Sequence, residues 1–293
     1  QARTAQARAE ACRLSACVER RKLGTDVSTP RWRYVLQGMR LRWSPEQIAG
    51  RLAEMNPFVG ALDSRELRVS HETIYCAIYA MPRGTLRTEL VGLLRKNHKT
   101  RMPRARGEPR FTGLRNMTSI ALRPPEVAAR IVPGHWEGDL IKGAGNRSSV
   151  GTIIERTSRY LMLVKLDDGS ASSVLDGFTR RLKTIPPSLR KTMTYDQGSE
   201  MASHALLAKQ LHIDIFFCDP HSPWQRGSNE NANGLVREYL PKGEDLSQYS
   251  YQQLLAIEQS LNNRPRKILG FQTPAEVLST LQLNDIAGVA LQP

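Results

Sequence analysis

The chain has 293 residues, of which 40% are hydrophobic, 24% charged and 6% aromatic, with a formal net charge of +14. These values exclude a wholly disordered, collagen-like or low-complexity chain, and the length predicts two or three domains with at least one sizeable core. The longest uncharged apolar run, Tyr160 to Val164, is far short of the roughly 20 residues of a membrane-spanning helix, so a soluble, cytoplasmic protein without membrane partners is expected.

The charge is unevenly placed. Residues 1–130 carry 25 Lys+Arg against 11 Asp+Glu, whereas residues 131–293 carry 17 of each. A polyanion partner follows, because Lys and Arg neutralise phosphates and release condensed counterions. Nucleic acid is favoured over a membrane surface, since no basic helix with a bulky apolar face accompanies the charge. Four cysteines (Cys12, Cys17, Cys76, Cys218) lack zinc or disulfide spacing and are expected to be reduced thiols. The first residue is Gln1 rather than Met, so the numbering is expected to start inside a longer product.

Residues 5–22 are basic and weakly helical in period. At RLRWSPEQIAGRLAEM, Ser44 is placed as N-cap, Pro45 at the first helical position and Gln47 three residues after the cap, with Ile48 and Leu52 on one face; this is a helix start. VSHETIYCAIYAM gives a second start at Ser70, with Ile74 and Ile78 a turn apart. Two short helices in a basic region suggest a helix-turn-helix whose second helix offers His71 and Thr73 to a DNA groove, although the connection from Asn56 to Val69 is longer than the tight motif allows. From Arg95 to Arg115 there are eight basic residues and one acid. This stretch cannot bury a core, and it reads as a linker whose Lys96, Lys99, Arg101, Arg104 and Arg106 order on a phosphate backbone.

After Pro133 the texture changes. HWEGDLIKG (135–143), SVGTIIER (149–156) and YLMLVKL (160–166) read as a meander of three strands. A helix over 172–183, a strand over 192–196, a helix over 203–211, a strand over 213–219 and a helix within 226–240 follow, making a mixed α/β sheet. Helix 251–263, the basic turn Arg264 to Lys267 and a capping box at Thr273 to Glu276 close the pattern. Trp136 and Trp224 are expected to pack beside the functional elements.

Three acids stand out. Asp139 lies inside the first strand, where an unpaired carboxylate is costly to bury. Asp196 ends the fourth strand at its C-terminal edge, where α/β sheets place functional groups. Glu230 opens a polar helix after the loop DPHSPWQRGSN. If the first and fourth strands are neighbours, the two aspartates come together and a helix across the sheet edge can add Glu230. Such oxygen ligands suit Mg²⁺ or Mn²⁺ rather than zinc, and two such ions suit phosphoryl transfer. Salt bridges to nearby arginines are the competing reading for each acid. Arg237, seven residues after Glu230, falls on nearly the same helix face and suits either a substrate phosphate or an acid. His221 and Arg226, in the loop before Glu230, are further candidates for DNA contact. No Walker A, GxGxxG or GxSxG motif is present.

The blocks GHWEGDLIKG, TYDQGSE and CDPHSPWQRGSNENANGLVREYLPKG resemble the three acid-bearing blocks of DDE transposases of bacterial insertion sequences, specifically the insertion-sequence-thirty family. Thirty-three residues separate Asp196 from Glu230, the spacing of that branch, and the likeness extends over RWSPEQIAGRL, VSHETIY, LNNRPRK and TPAEV, or most of residues 40–278. The resemblance implies a ribonuclease-H-like catalytic domain over 131–293. Before it come a basic all-α, helix-turn-helix-like DNA-binding region over 1–94, expected to be truncated at the front, and a linker over 95–130. It implies Asp139, Asp196 and Glu230 as metal-binding acids, Mg²⁺ (with Mn²⁺ able to substitute) as cofactor, and cleavage of transposon ends whose 3′-hydroxyl then attacks target DNA. A homodimer or larger assembly on double-stranded DNA, associated with the bacterial nucleoid, is also implied, with Arg237 matching the family's basic residue after the glutamate. Gln197 departs from the Asn common among relatives. A nuclease or resolvase of the same fold, or an inactive DNA-binding derivative, are the alternatives.

Overall fold

The computed structural model describes residues 23–54, 68–94, 117–220 and 222–286. The expected helix over 5–22, the Asn56–Val69 connection apart from its last two residues, the basic residues Lys96, Lys99, Arg101, Arg104 and Arg106, and His221 lie outside them. The chain divides into two compact units, one of residues 1–104 with 264–272, the other of 105–263 with 273–293.

The first unit is helical. Thr29 caps α1 (Pro30–Arg40), with Pro30 at its first position. The Ser44–Gln47 capping box opens α2 (Pro45–Glu54): Ser44 N–H donates to Gln47 Oε1 at 2.9 Å and Gln47 N–H to Ser44 Oγ at 3.3 Å. Ser70 caps α3 (His71–Ala80), accepting from Thr73 N–H, and α4 (Thr85–Gly92) follows. Helix α1 was not expected from the sequence, although Trp32, Val35 and Met39 recur at helical spacing, and α4 lacks a clear period. Trp32, Val35, Met39, Ile48, Leu52, Ile74, Ile78 and Leu90 bury together as the core. The segment 264–272 belongs to this core's surroundings. Gln47 Nε2 donates to Pro265 O at 2.8 Å, Lys267 pairs with Glu46, and the Phe271 ring covers Gly50 so closely that a Cβ there would stand 2.3 Å from it.

The second unit is a five-stranded sheet of order β3-β2-β1-β4-β5, made of β1 (His135–Lys142), β2 (Ser149–Glu155), β3 (Leu161–Lys165), β4 (Thr192–Tyr195) and β5 (Asp214–Phe217). The first three strands form the expected antiparallel meander, and β4 and β5 extend it in parallel from β1. Part of the stretch expected to be linker belongs to this unit. Phe217 N–H donates to Thr118 O at 2.9 Å, Arg123 Nη1 donates to Thr194 Oγ1 at 3.0 Å, and Val127 is buried on the short helix α5 (Glu126–Ala129). The edge strand β5 thus gains a partner for an otherwise open backbone edge.

Alternation along β1 sorts its side chains onto two faces. Trp136 and Leu140 join Phe178, Leu182, Leu207 and Leu278 from α6 (Ala171–Leu182), α7 (His204–Leu211) and α10 (Pro274–Ile286). Ile141 joins Leu235, Val236, Leu254 and Leu261 from α8 (Gly227–Val236) and α9 (Tyr251–Asn262) on the other. Glu137 and Asp139 share the Ile141 face, and α8 packs there. No helix among the described residues is long and apolar enough to cross a membrane.

Candidate active site

The neighbouring strands and α8 bring two of the three candidate acids onto one cation. Asp139 projects from β1, and Asp196 follows β4 directly at its C-terminal end; the two strands pair in parallel. Between the carboxylates sits Arg226, the residue preceding α8. Its Nη1 is 3.2 Å from Asp139 Oδ2 and its Nη2 is 3.1 Å from Asp196 Oδ2. Nη1 also donates to Gly138 O at 3.1 Å. Gly138 is required here, since a Cβ on it would stand 2.6 Å from the fully buried Tyr195 ring.

The helix holds this arrangement through a polar stripe. Asn233 Nδ2 donates to Asp139 Oδ2 at 2.9 Å, Asn229 N–H donates to Glu137 Oε2 at 2.8 Å, and Thr152 Oγ1, on the strand beside β1, donates to Asn229 Oδ1 at 3.0 Å. Leu140 N–H donates to Asp139 Oδ1 at 2.8 Å. Burial pushes the Asp139 carboxyl above its ordinary value against the pull of Arg226. For Arg226 burial favours loss of the proton, but the charges of Asp139 and Asp196 outweigh it and raise the guanidinium's affinity for its proton. Asp196 Oδ1 and Asn233 Oδ1 are buried without a hydrogen-bond partner, two oxygen acceptors beside a place already built for positive charge.

Glu230 is in the first turn of α8, one turn beyond Arg226, and exposed. It is not gathered with the aspartates, and among the described residues no three Asp, Glu, His or Cys side chains are placed to hold one ion. Arg237 caps the C-terminus of α8, donating from Nη2 to Lys142 O at 2.9 Å and from Nη1 to Leu240 O at 3.3 Å, so it binds backbone carbonyls rather than an acid. Gln197, the departure after the second acid, donates from Nε2 to Cys218 O at 3.0 Å and joins the ends of β4 and β5. Of the two tryptophans expected to pack, Trp136 does so, donating from Nε1 to Leu189 O at 2.8 Å. Trp224 does not: it is 72% exposed, because the short turn Pro223–Arg226 aims Arg226 inward and leaves Trp224 outside. His71 and Thr73 occupy the first turn of α3 in the other unit, His71 exposed and Thr73 Oγ1 within 2.9 Å of Ser70 Oγ. Cys76 and Cys218 are free thiols.

Sequence reasoning missed Asn229 and Asn233 and the buried pair Glu137–Arg156 behind them, in which Arg156 Nη1 donates to Glu137 Oε1. Strand alternation was the available signal, because it places Glu137 on the face of Asp139.

The family model described as integrase core domain matches residues 129–223. The transposase for insertion sequence element IS1086 of Cupriavidus metallidurans is 50% identical over 279 residues, covering 94% of this chain and 80% of the relative. Transposase InsI for insertion sequence element IS30A of Escherichia coli is 40% identical over 86% of this chain and 65% of its own length, so the chain spans about two thirds of that relative. The transposase for IS4351 of Bacteroides fragilis is 34% identical over 86% of this chain and 74% of the relative. Among solved structures, the catalytic core domain of BIV integrase aligns with TM-score 0.41 and 18% identity over 52% of this chain and 98% of that one. The mixed sheet with its flanking helices is the ribonuclease-H-like catalytic fold, and the chain belongs to the IS30-family transposases.

Proposed function

We propose that this chain is a DNA transposase that cleaves insertion-sequence ends and joins the freed 3′-hydroxyl to target DNA, with Asp139, Asp196 and Glu230 as its metal-binding acids. The observation that carries the reading is the convergence of Asp139 and Asp196, from adjacent parallel strands, on a single cation at the sheet's C-terminal edge. A guanidinium between two carboxylates is a stand-in for a metal ion. The oxygen donor set, with Asp196 Oδ1 still unpartnered, fits Mg²⁺ or Mn²⁺.

When bound, such ions supply activation of the attacking oxygen and stabilisation of the leaving oxygen in an in-line displacement. The chain's own part is positioning. Asn233 and the Leu140 amide fix the two oxygens of Asp139. Glu230, exposed in the first turn of the helix that carries Asn233, is the third acid of this reading. Double-stranded DNA, both the terminal repeats and the target, is the substrate class, and the net positive front of the chain suits it. Arg237, Arg226, His221, His71, Thr73 and the basic residues from Lys96 to Arg106 are proposed as DNA contacts. Action as a homo-oligomer on paired ends belongs to the same reading.

The test is a strand-transfer assay with labelled donor DNA carrying candidate insertion-sequence ends, in Mg²⁺ or EDTA, comparing the chain with Asp139→Asn, Asp196→Asn and Glu230→Gln. Metal-dependent joining that each substitution abolishes is the expected result. Cutting without joining favours a nuclease, and end binding that is indifferent to metal favours an inactive DNA-binding derivative; either contradicts the proposal.

A further inference from the structure

Among the described residues, three arginines of the sheet unit pair with carboxylates, and they do so in different ways. Arg181 Nη2 reaches both oxygens of Glu258 at 2.6 Å, and Arg156 pairs with Glu137 with both side chains at most 5% exposed. Charge-assisted bonds of this kind normally fall at about 2.7–2.9 Å. Arg226 instead spreads its two terminal nitrogens over two different carboxylates at 3.1 and 3.2 Å, and these carboxylates remain 21% and 41% exposed. The first two arrangements seal a pair into the fold. The third places a single positive charge, with long bonds and an open side, where two acids would otherwise repel each other.

We propose that Arg226 is a displaceable counter-ion: it holds Asp139 and Asp196 together in the metal-free protein and must withdraw before a divalent cation enters, so it sets the apparent metal affinity of the site. The inference rests on the reading of the aspartates as metal ligands. Its logic is competition for the same atoms. Asp139 Oδ2 and Asp196 Oδ2 are the atoms that face the guanidinium, and a divalent ion bridging these two atoms would take the place that the guanidinium holds and be repelled by its charge. Metal loading is then an exchange, and the apparent affinity equals the intrinsic affinity multiplied by the fraction of molecules with Arg226 withdrawn. A merely structural arginine gives the opposite sign, because its loss would loosen the carboxylates and weaken metal binding.

The experiment is a calorimetric titration of the full chain with MnCl₂ at constant ionic strength and neutral pH, without DNA. It compares wild type, Arg226→Gln, Arg226→Lys, Asp196→Asn and the double variant Arg226→Gln/Asp196→Asn. Arg226→Gln is expected to bind Mn²⁺ about tenfold more tightly or better, since removal of the competitor makes every molecule competent. Arg226→Lys, a point charge without the planar fork, is expected to gain about threefold. Both variants carrying Asp196→Asn are expected to lose binding. Thermal unfolding provides a second readout: Arg226→Gln should be less stable than wild type without metal and gain more from Mn²⁺. Should Arg226→Gln fail to fold, Arg226→Lys decides by the same sign. Equal or weaker Mn²⁺ affinity in the Arg226 variants, with Asp196→Asn still abolishing binding, would overturn the counter-ion alone. Mn²⁺ binding that Asp196→Asn leaves untouched, or no binding in any variant, would overturn the metal-ligand reading and the counter-ion with it.

Discussion

Strand β1 carries two carboxylates on one face, two residues apart, and the fold treats them oppositely. Glu137 is fully buried and closed in by Arg156, by the Asn229 amide and by the helix above it. Asp139, nearer the sheet's C-terminal edge, keeps 21% of its side chain exposed and shares Arg226 with Asp196. The sealed pair consumes its charges inside the protein and does structural work. At the open cluster one arginine faces two acids, which leaves negative charge in excess at a solvent-accessible edge. Burying an ion pair rarely adds stability, but breaking one is costly. The same pairing chemistry therefore yields a sealed strut at Glu137 and, two residues on, an open pair of acids around one guanidinium at Asp139.

The largest expected effect separates the two arrangements by activity. Asp196→Asn should reduce strand transfer by about a thousandfold or more, as loss of a principal electrostatic group does, while circular dichroism and unfolding midpoint stay close to wild type. Glu137→Gln should do the reverse at the level of stability. Leaving the buried Arg156 uncompensated is expected to cost about 3–5 kcal/mol in denaturant unfolding, with Mn²⁺ affinity of the folded fraction unchanged; a lost metal site with intact stability would break the distinction.

A third effect comes from His135 at the start of β1. Burial lowers its pKa from 6.5 to about 4, with Lys191 adding to the shift. The unfolded chain then binds a proton that the folded one refuses. Stability is fully present above about pH 6.5 and falls as the pH drops toward 4, by at most about 1.4 kcal/mol per pH unit. His135→Gln should flatten that limb of an unfolding-against-pH series. Gly138→Ala should cost about 1–3 kcal/mol by overpacking against Tyr195. Trp224→Ala, at an exposed side chain, should change stability by no more than about 0.5 kcal/mol.

The strands were legible because they are short apolar or alternating runs. HWEGDLIKG and SVGTIIER bounded by turn residues gave β1 and β2 within a residue of their ends. The helix starts at Ser44, Ser70 and Thr273 were legible because capping is local chemistry, and at Thr273 both hydrogen bonds of a capping box are present. Helix α4, the residues beyond Thr118 that join the sheet unit, and Phe271 on Gly50 were not legible, because they depend on contacts between distant parts of the chain that leave no period. Helix α1 was missed although its Thr29–Pro30 start and the spacing of Trp32, Val35 and Met39 carried the signal. At the candidate site, spacing singled out Asp139, Asp196 and Glu230. It could not foretell that Arg226 would lie between the first two or that Asn233 would hold Asp139, since both follow from how α8 crosses β1.

The most direct test of the cation site is a crystal of the full chain grown with Mn²⁺ and measured for anomalous scattering. The account predicts a peak within coordination distance of both Asp139 and Asp196, with the Arg226 guanidinium withdrawn from them. At saturating Mn²⁺, no peak beside either aspartate and Arg226 still bridging the pair would contradict it.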